Sequence, residues 1–229
     1  MTGLEITLAG ESLILLPDLA LWWPARKTVF IADTHFGKTA TFRSHGIPIG
    51  DETLEHDLCR LSSVVTQTAA ERLVVLGDLL HARRGRSEGT LGRVSRWRAS
   101  HRALVMELIR GNHDRSAGPP LNDWRITTLA DRHREGPFAL CHHPVDLDGA
   151  YVLAGHLHPK VVVPFEAAGS ARLPCFWVRP GQMVLPAFGA FIDSSPIKPV
   201  QDDRVYAAAE GRVHDVSRLT APRRSKSRL

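Results

Sequence analysis

The 229-residue sequence predicts an α/β fold in which several buried strands end in polar side chains. The first observation is a set of five short apolar runs, each bounded by Gly or polar residues as buried strands are. These runs span residues 29–32, 73–76, 104–109, 138–140 and 151–154. The second observation is the helical spacing of Leu54, Leu58, Leu61 and Val65. Strands and helices that alternate along a chain are typical of α/β proteins.

The remaining segments complete the order of elements. Residues 4–9 and 12–16 flank Gly10-Glu11 and predict a β-hairpin, and we expect residues 21–24 to close its edge. We expect Asp51 to cap a helix over residues 51–69, and a second, arginine-rich helix is predicted over residues 90–102. Six prolines between residues 161 and 199 favour short strands and turns, whereas residues 205–213 fit either a strand or a helix.

Length and composition indicate one domain over residues 1–217 and a basic, disordered tail over residues 218–229. The chain has no apolar stretch near the roughly 18 residues of a membrane span, and its N-terminus does not resemble a secretory signal. Its three cysteines form no CxxC pair, so we expect a cytoplasmic protein without disulfides or a structural zinc site. The net charge of +5 is carried largely by arginine, which fits a nucleic-acid partner but does not establish one.

Side chains that commonly bind metals follow each of the five apolar runs. The clusters are Asp33-Thr34-His35, Gly77-Asp78, Gly111-Asn112-His113-Asp114, Cys141-His142-His143 and Gly155-His156-Leu157-His158. Sites in α/β sheets form beyond the carboxyl ends of strands, so five such clusters predict one converging site. Carboxylate, amide and imidazole donors without thiolate favour Mn, Fe or Zn. Two such ions about 3.5–4 Å apart bind a phosphate and lower the pKa of a water between them.

The order D-x-H, GD, GNHD, H and GHxH over residues 28–160 resembles the calcineurin-like metallophosphoesterases. This resemblance implies a four-layer sandwich, in which two mixed β-sheets are flanked by helices. It implies that one metal is held by Asp33, His35, Asp78 and His158, and a second by Asp78, Asn112, His142 and His156. It also implies in-line attack by a hydroxide that bridges the two metals. His113 would then be the general acid, with Asp114 orienting it.

Finer features between about residues 4 and 195 resemble the ligase-associated DNA-damage-response endonucleases. They are Asp33-Thr34-His35-Phe36-Gly37-Lys38, Thr41-Phe42-Arg43, Gly46-Ile47-Pro48, Leu173-Pro174-Cys175-Phe176-Trp177 and Leu185-Pro186-Ala187-Phe188-Gly189. This resemblance implies a bacterial, manganese-dependent endonuclease on single-stranded DNA, associated in repair with a DNA ligase, an exonuclease-like protein and a helicase. Residues 77–81 also resemble the Mre11 nucleases, which implies that His81 contacts the scissile phosphate.

Several side chains have a structural interpretation beside the functional one. The arginines between residues 83 and 102, with Trp97 among them, fit a groove that binds a nucleic-acid backbone and stacks a base, or a solvated helix face with the indole in the core. Asp114 is either the residue that orients His113 or a helix cap. We favour His142 over His143 as the ligand, because it follows its strand directly. The basic residues that follow the metal loops are candidate phosphate contacts: Lys38, Arg43, Arg83 and Arg84.

Two other functions compete with a DNA endonuclease. One is a phosphodiesterase or phosphomonoesterase that acts on nucleotides or other small phosphoesters. The other is a non-catalytic scaffold, which is disfavoured because no ligand of the motif set is missing. The sequence leaves open the native metal, the cleavage polarity and the oligomeric state, as well as any role for the basic tail.

Overall fold

The computed structural model describes residues 3–50, 52–165, 169–190, 192 and 194–220. Two mixed β-sheets pack face to face, and helices cover the outer face of the first sheet. The predicted α/β sandwich of two sheets flanked by helices is therefore confirmed. Within the described part of the chain, no helix is long and apolar enough to cross a membrane.

The first sheet has seven strands, and its spatial order follows the chain. They are β1 (Leu4–Leu8), β2 (Glu11–Leu16), β3 (Ala20–Trp23), β4 (Thr28–Ile31), β5 (Arg72–Val75), β6 (Val105–Ile109) and β7 (Ile126–Leu129). Strands β4 to β7 are parallel, which brings their carboxyl ends to one edge. The predicted hairpin is confirmed as β1 and β2. The expectation that residues 21–24 close its edge is confirmed for residues 21–23, because β3 pairs with the β2 edge of the hairpin and continues the sheet to β4.

The second sheet contains β8 to β15. Its strands are β8 (His133–Glu135), β9 (Phe138–Leu140), β10 (Tyr151–Ala154), β11 (Lys160–Phe165), β12 (Gly169–Arg179), β13 (Gln182–Val184), β14 (Arg204–Ala209) and β15 (Arg212–Asp215). Strands β9, β10 and β13 are parallel to one another. The proline-rich region forms strands and turns as predicted, although β12 is long, and the ambiguous region 205–213 lies in the antiparallel pair β14 and β15.

In the described part of the chain, five α-helices connect or flank the strands: α1 (Lys38–Ser44), α2 (Glu52–Thr68), α3 (Glu88–Ser100), α4 (Asn112–Ala117) and α5 (Ser217–Thr220). Both predicted helices are confirmed as α2 and α3. Ser87 caps α3 by accepting a hydrogen bond from the Thr90 amide, so this helix begins two residues earlier than predicted. The proposed cap Asp51 lies outside the described residues. So does most of the predicted tail, whose first residues, 218–220, belong to α5.

Two main cores result from this layering. The first lies between the sheets, where Trp23 meets the edge of Phe138 at a centroid distance of 5.0 Å and Phe176 is fully buried. The second lies between the first sheet and helices α2 and α3, and it contains Trp97 and Phe188. Phe176 and Phe188 are thus core residues, as the sequence favoured, while Phe191 lies outside the described residues. The two cores hold the strands rigid up to the edge where they end.

Candidate metal centre

The metal-binding clusters of both sheets meet at one edge of the sandwich. The parallel strands β4, β5 and β6 end directly before Asp33, Asp78 and Asn112, while β9 and β10 end before His142 and His156. The two sheets are joined at this edge by a bridge between Ala32 and Ala187, in which the Phe188 amide donates to the Ala32 carbonyl at 2.7 Å. The topology therefore brings together the side chains that the sequence separates by more than a hundred residues.

Five of the candidate ligands lie in left-handed backbone. They are Asp33, His35, Asp78, His156 and His158, with φ of 53°, 45°, 53°, 71° and 47°. Non-glycine residues rarely adopt this region, and each costs about 1–3 kcal/mol. Such strain persists where the surrounding structure enforces it, and it concentrates at functional sites. Here it turns the side chains away from their strand directions and towards a common point.

A first group of donors consists of Asp33, His35 and His158. The two Nε2 atoms lie 3.4 Å apart, and His158 Nε2 lies 3.5 Å from Asp33 Oδ1. An ion bound at about 2.0–2.2 Å separates its ligands by similar distances. Asp33 Oδ1 is buried and has no hydrogen-bond partner among the described residues, while Oδ2 accepts from the His156 amide at 2.8 Å. A cation would satisfy this orphaned oxygen, so the group fits a metal.

A second group of donors surrounds His142. Its Nε2 lies 3.0 Å from Asn112 Oδ1, 3.2 Å from His156 Nδ1 and 3.5 Å from Asp78 Oδ2. Its other nitrogen, Nδ1, donates to the Leu76 carbonyl at 3.0 Å, which leaves Nε2 with a free lone pair. The same Asp78 Oδ2 lies 3.7 Å from His35 Nε2 in the first group. Asp78 is thus placed to be shared by two ions.

Glycines make room for the ligands at two of the strand ends. A side chain at Gly77, which has φ of 93°, would collide with the His142 ring, and one at Gly111 would collide with the Asp78 carboxylate. Gly is therefore required before Asp78 and before Asn112 because a ligand packs against its Cα. This explains why the polar clusters read GD and GNHD.

Burial favours the neutral form of three histidines at the site. It lowers the pKa of His35 to about 2, with help from the nearby His113 and His158. Burial likewise lowers the pKa of His156 to about 4 and that of His81 to about 4. The Asp78 pKa is raised by burial. A divalent cation binds neutral imidazoles and carboxylates, so this set of side chains is suited to hold one.

His113 lies beside the first donor group, with its ring 4.7 Å from that of His35 and stacked at 4.9 Å on that of His81. Its Nδ1 donates to the His81 carbonyl at 2.7 Å. Its backbone amide donates to Asp78 Oδ1 at 2.9 Å. The ring is therefore fixed by the loop after β5, and its Nε2 is the nitrogen left for a substrate.

Asp114 does not hold the His113 ring, so its expected orienting contact is wrong. Its two carboxylate oxygens accept from the backbone amides of Leu80 and Gly111, each at 3.0 Å. The second of these bonds is made by Gly111, the residue directly before α4, and so caps this short helix. Asp114 thus ties the loop after β5 to the loop after β6. A carboxylate in a short turn has many backbone donors within reach, and the sequence does not reveal which of them it meets.

His81 and the predicted basic residues lie on one flank of the site. His81 Nδ1 is 3.3 Å from His35 Nδ1, so the two rings are in direct contact. Gly37, directly before α1, packs against Gly85 in the turn over residues 83–85. Helix α1 carries Lys38 and Arg43, and the turn carries Arg83 and Arg84. Arg83 and Arg84 are exposed, and Arg84 contacts His45 Nε2 at 3.2 Å. Lys38 lines the same small cavity as His35 and so borders the first donor group, while the phosphate contacts of Arg43, Arg83 and Arg84 stay predictions.

Trp97 is not available to stack a base. It is buried at 7% exposure, and its indole nitrogen donates to Ser62 Oγ on helix α2 at 2.9 Å. The interpretation as a stacking ring is therefore wrong, and the structural one is correct.

Two features of the site were not predicted from the sequence. The exposed His143 ring lies 4.1 Å from the His156 ring, so a third imidazole borders the second donor group. The loop after β13 supports Asp33, whose carbonyl accepts from the Gly189 amide at 3.2 Å. Asp57 of α2 in turn accepts from the Ala190 amide at 3.1 Å. The segment Leu185-Pro186-Ala187-Phe188-Gly189 of that loop contributed to the family resemblance, but the resemblance did not indicate a role for it.

Known structures place this fold and site in a class. The crystal structure of nuclease MPE from Pseudomonas putida is 41% identical, covers 93% of this chain and 99% of its own, and has a TM-score of 0.81. The phosphoesterase Yfce from E. coli is 16% identical over 83% of this chain and 98% of its own, with a TM-score of 0.39 that supports no argument. No family model matches the chain, and no curated protein does.

At this identity and coverage, the chain is a metallophosphoesterase, a hydrolytic enzyme that cleaves phosphoesters. It belongs to the same family as the Pseudomonas putida nuclease MPE.

Proposed function

We propose that this enzyme is a metal-dependent endonuclease that cleaves single-stranded DNA in bacterial repair. The observation that supports this most is the pair of donor groups that share Asp78, with the exposed Arg83 and Arg84 in the turn shortly after Asp78 in the chain. Two cation sites followed by exposed guanidinium groups suit a polyanionic phosphodiester better than a neutral substrate. The relation to a nuclease favours DNA over a small phosphoester.

The residues that would hold the ions follow from the geometry. One ion would be bound by Asp33, His35, Asp78 and His158, and the other by Asp78, Asn112, His142 and His156. When bound, two divalent ions supply positive charge to the phosphate and lower the pKa of a water molecule. We propose Mn²⁺ as the native ion, with Fe and Zn as alternatives that the same ligands accept.

The chain's own residues would guide the substrate and the proton. His113 Nδ1 donates to the His81 carbonyl, so Nε2 is the nitrogen left for the substrate; with both ring nitrogens protonated, the imidazolium would give its Nε2 proton to the departing sugar oxygen as the phosphorus–oxygen bond breaks. His81, stacked on His113, would hold a phosphoryl oxygen at the same side. Lys38, Arg43, Arg83 and Arg84 would contact neighbouring phosphates of the strand.

The cellular setting is also part of the proposal. The family resemblance favours a cytoplasmic repair role, in functional association with a DNA ligase, an exonuclease-like protein and a helicase. This association is a matter of shared substrate, and it requires no contact surface on the enzyme.

Nicking of a circular single-stranded DNA tests the proposed function. The protein is stripped of metal and assayed with and without Mn²⁺, beside an Asp78→Ala variant and a chromogenic phosphodiester. We expect manganese-dependent nicking that the variant loses by at least about 100-fold, since even outer partners of metal ligands contribute 10–100-fold. An intact circle with the chromogenic ester still hydrolysed would contradict the DNA assignment and move the substrate to small phosphoesters.

A further inference from the structure

A cavity of about 230 Å³ opens beside His158, a member of the first donor group. Its walls are largely apolar and include Pro159, Pro174, Ala187 and Ile192. Two cations, Lys160 and Arg172, also line it, and none of the described residues that line it is acidic. The cavity thus combines apolar walls with positive charge directly next to the metal centre.

The strand register explains why these side chains share one face. Strands β11 and β12 are antiparallel, with Lys160 opposite Pro174 and Val162 opposite Arg172. Directly opposed residues point to the same side of a sheet, and so do residues two apart on one strand. Lys160, Pro174 and Arg172 therefore face the cavity together. Lys160 follows His158 by two residues, which ties the cationic wall to the metal ligand.

The other wall comes from the loop after β13. Ala187 bridges to Ala32, the residue before the candidate ligand Asp33. The Leu-Pro segments at residues 173–177 and 185–189, which the proposed function does not use, thus contribute Pro174 and Ala187 to one cavity. The cavity therefore borders the first donor group both at His158 and near Asp33.

We infer that this cavity is a subsite for one nucleotide of the substrate strand, next to the phosphate that is cleaved. Its base would lie against the apolar walls, and its outer phosphate would be bound by Lys160 and Arg172. The chemistry supports this occupant: each base has an apolar face that packs on such walls, and the adjoining phosphate requires cations at the rim. The inference rests on the proposed function, because it assumes that the enzyme acts on a nucleic-acid strand.

Arg172→Ala tests the charge of the subsite, since Arg172 is exposed and its loss leaves the core intact. Arg172→Lys keeps the charge, and Arg212→Ala removes an exposed arginine from the edge strand β15 as a matched control. We measure kcat/KM on a single-stranded oligonucleotide over a salt series, and on a chromogenic phosphodiester too small to span the cavity. We expect kcat/KM on DNA to fall several-fold. The slope of log kcat/KM against the logarithm of the salt concentration should become shallower by about 0.7, because one phosphate contact is lost. The Lys and control variants and the small ester should show wild-type values.

Ile192→Ala tests the apolar wall separately. It should raise KM for the oligonucleotide several-fold without changing the salt slope, because no charge is removed. Wild-type kinetics on DNA for both Arg172→Ala and Ile192→Ala would overturn the subsite while leaving the proposed function intact. Equal losses on DNA and on the small ester would also overturn it, because the cavity would then only support the metal centre. A wild-type enzyme that hydrolyses the ester but not DNA would overturn the proposed function and the nucleotide subsite together.

Discussion

Two regions look functional in the sequence: the sheet edge that carries the metal-binding clusters, and the arginine-rich helix α3. The structure shows that the two differ. The five clusters converge, and one of their carboxylate oxygens, Asp33 Oδ1, is buried and has no hydrogen-bond donor among the residues that the structure describes. Two of the three arginines of α3, Arg93 and Arg98, instead find partners within the protein. Arg98 is buried and donates to the carbonyls of Trp124, His101 and Leu104, while Arg93 pairs with Glu55 at 2.8 Å.

This contrast shows how structural and functional charge differ. A buried cation whose donors are all used stabilises the fold, whereas a buried acceptor left without a donor indicates a missing ligand. The backbone differs in the same way. Five candidate ligands adopt left-handed conformations, while α3 is an ordinary capped helix. Strain and unsatisfied polar atoms therefore mark the site better than the density of arginine does.

Removal of His113 should have the largest effect among the following predictions. We expect His113→Ala to lower kcat by about 10²–10⁴-fold on DNA, whose sugar alkoxide is a poor leaving group that needs a proton. The loss should be far smaller on a 4-nitrophenyl phosphodiester, because that leaving group departs without protonation. Steady-state kinetics on both substrates measure the difference.

Metal content serves as the control for His113→Ala, which should still bind as much metal as the wild type. Equal losses for the good and the poor leaving group would argue against a general acid at this position and for a purely structural imidazole.

Replacement of Arg98 should damage stability and spare activity. Arg98→Met leaves three backbone carbonyls of the 98–124 region without their donor, so we expect a loss of about 2–4 kcal/mol in unfolding free energy. The exposed Arg96 on the same helix is the matched control, and Arg96→Met should change stability by about 0.5 kcal/mol or less. Urea denaturation measures both. If Arg98→Met is as stable as the wild type but its activity on DNA depends less on salt, then α3 belongs to the DNA-binding surface and this interpretation is wrong.

Acidification should lower the stability of the metal-free protein through the buried histidines of the site, and not through the arginines of α3. Burial lowers the pKa of His81 to about 4, whereas an unfolded imidazole titrates near 6.5. The unfolded state therefore binds the extra proton, and this part of the stability is present above pH 6.5 and is lost as the pH falls towards 4. Between pH 7 and 5, we expect the Tm of the metal-free wild type to fall by several degrees more than that of His81→Asn. Parallel falls in calorimetry would contradict the neutral, buried state of His81.

The sequence predicted the elements well because hydrophobic periodicity is local. The five strands before the clusters and the helices α2 and α3 follow from the spacing of apolar residues, and so does the meeting of their ends. Partner choice is a tertiary property and was missed. Asp114 bonds to backbone amides and not to the His113 ring, and the sequence did not decide between the two positions considered for Trp97, which turns inward. The support of Asp33 by the loop after β13 depends on the packing of the two sheets, which no local pattern encodes.

The central claim is that the strand ends of both sheets form one centre for two ions, joined by Asp78. Electron paramagnetic resonance of the protein titrated with Mn²⁺ tests it most directly. The account predicts two ions per chain with an exchange-coupled spectrum, and the loss of that coupling in Asp78→Ala. A wild-type protein that binds a single ion, or two ions with uncoupled spectra, would contradict it.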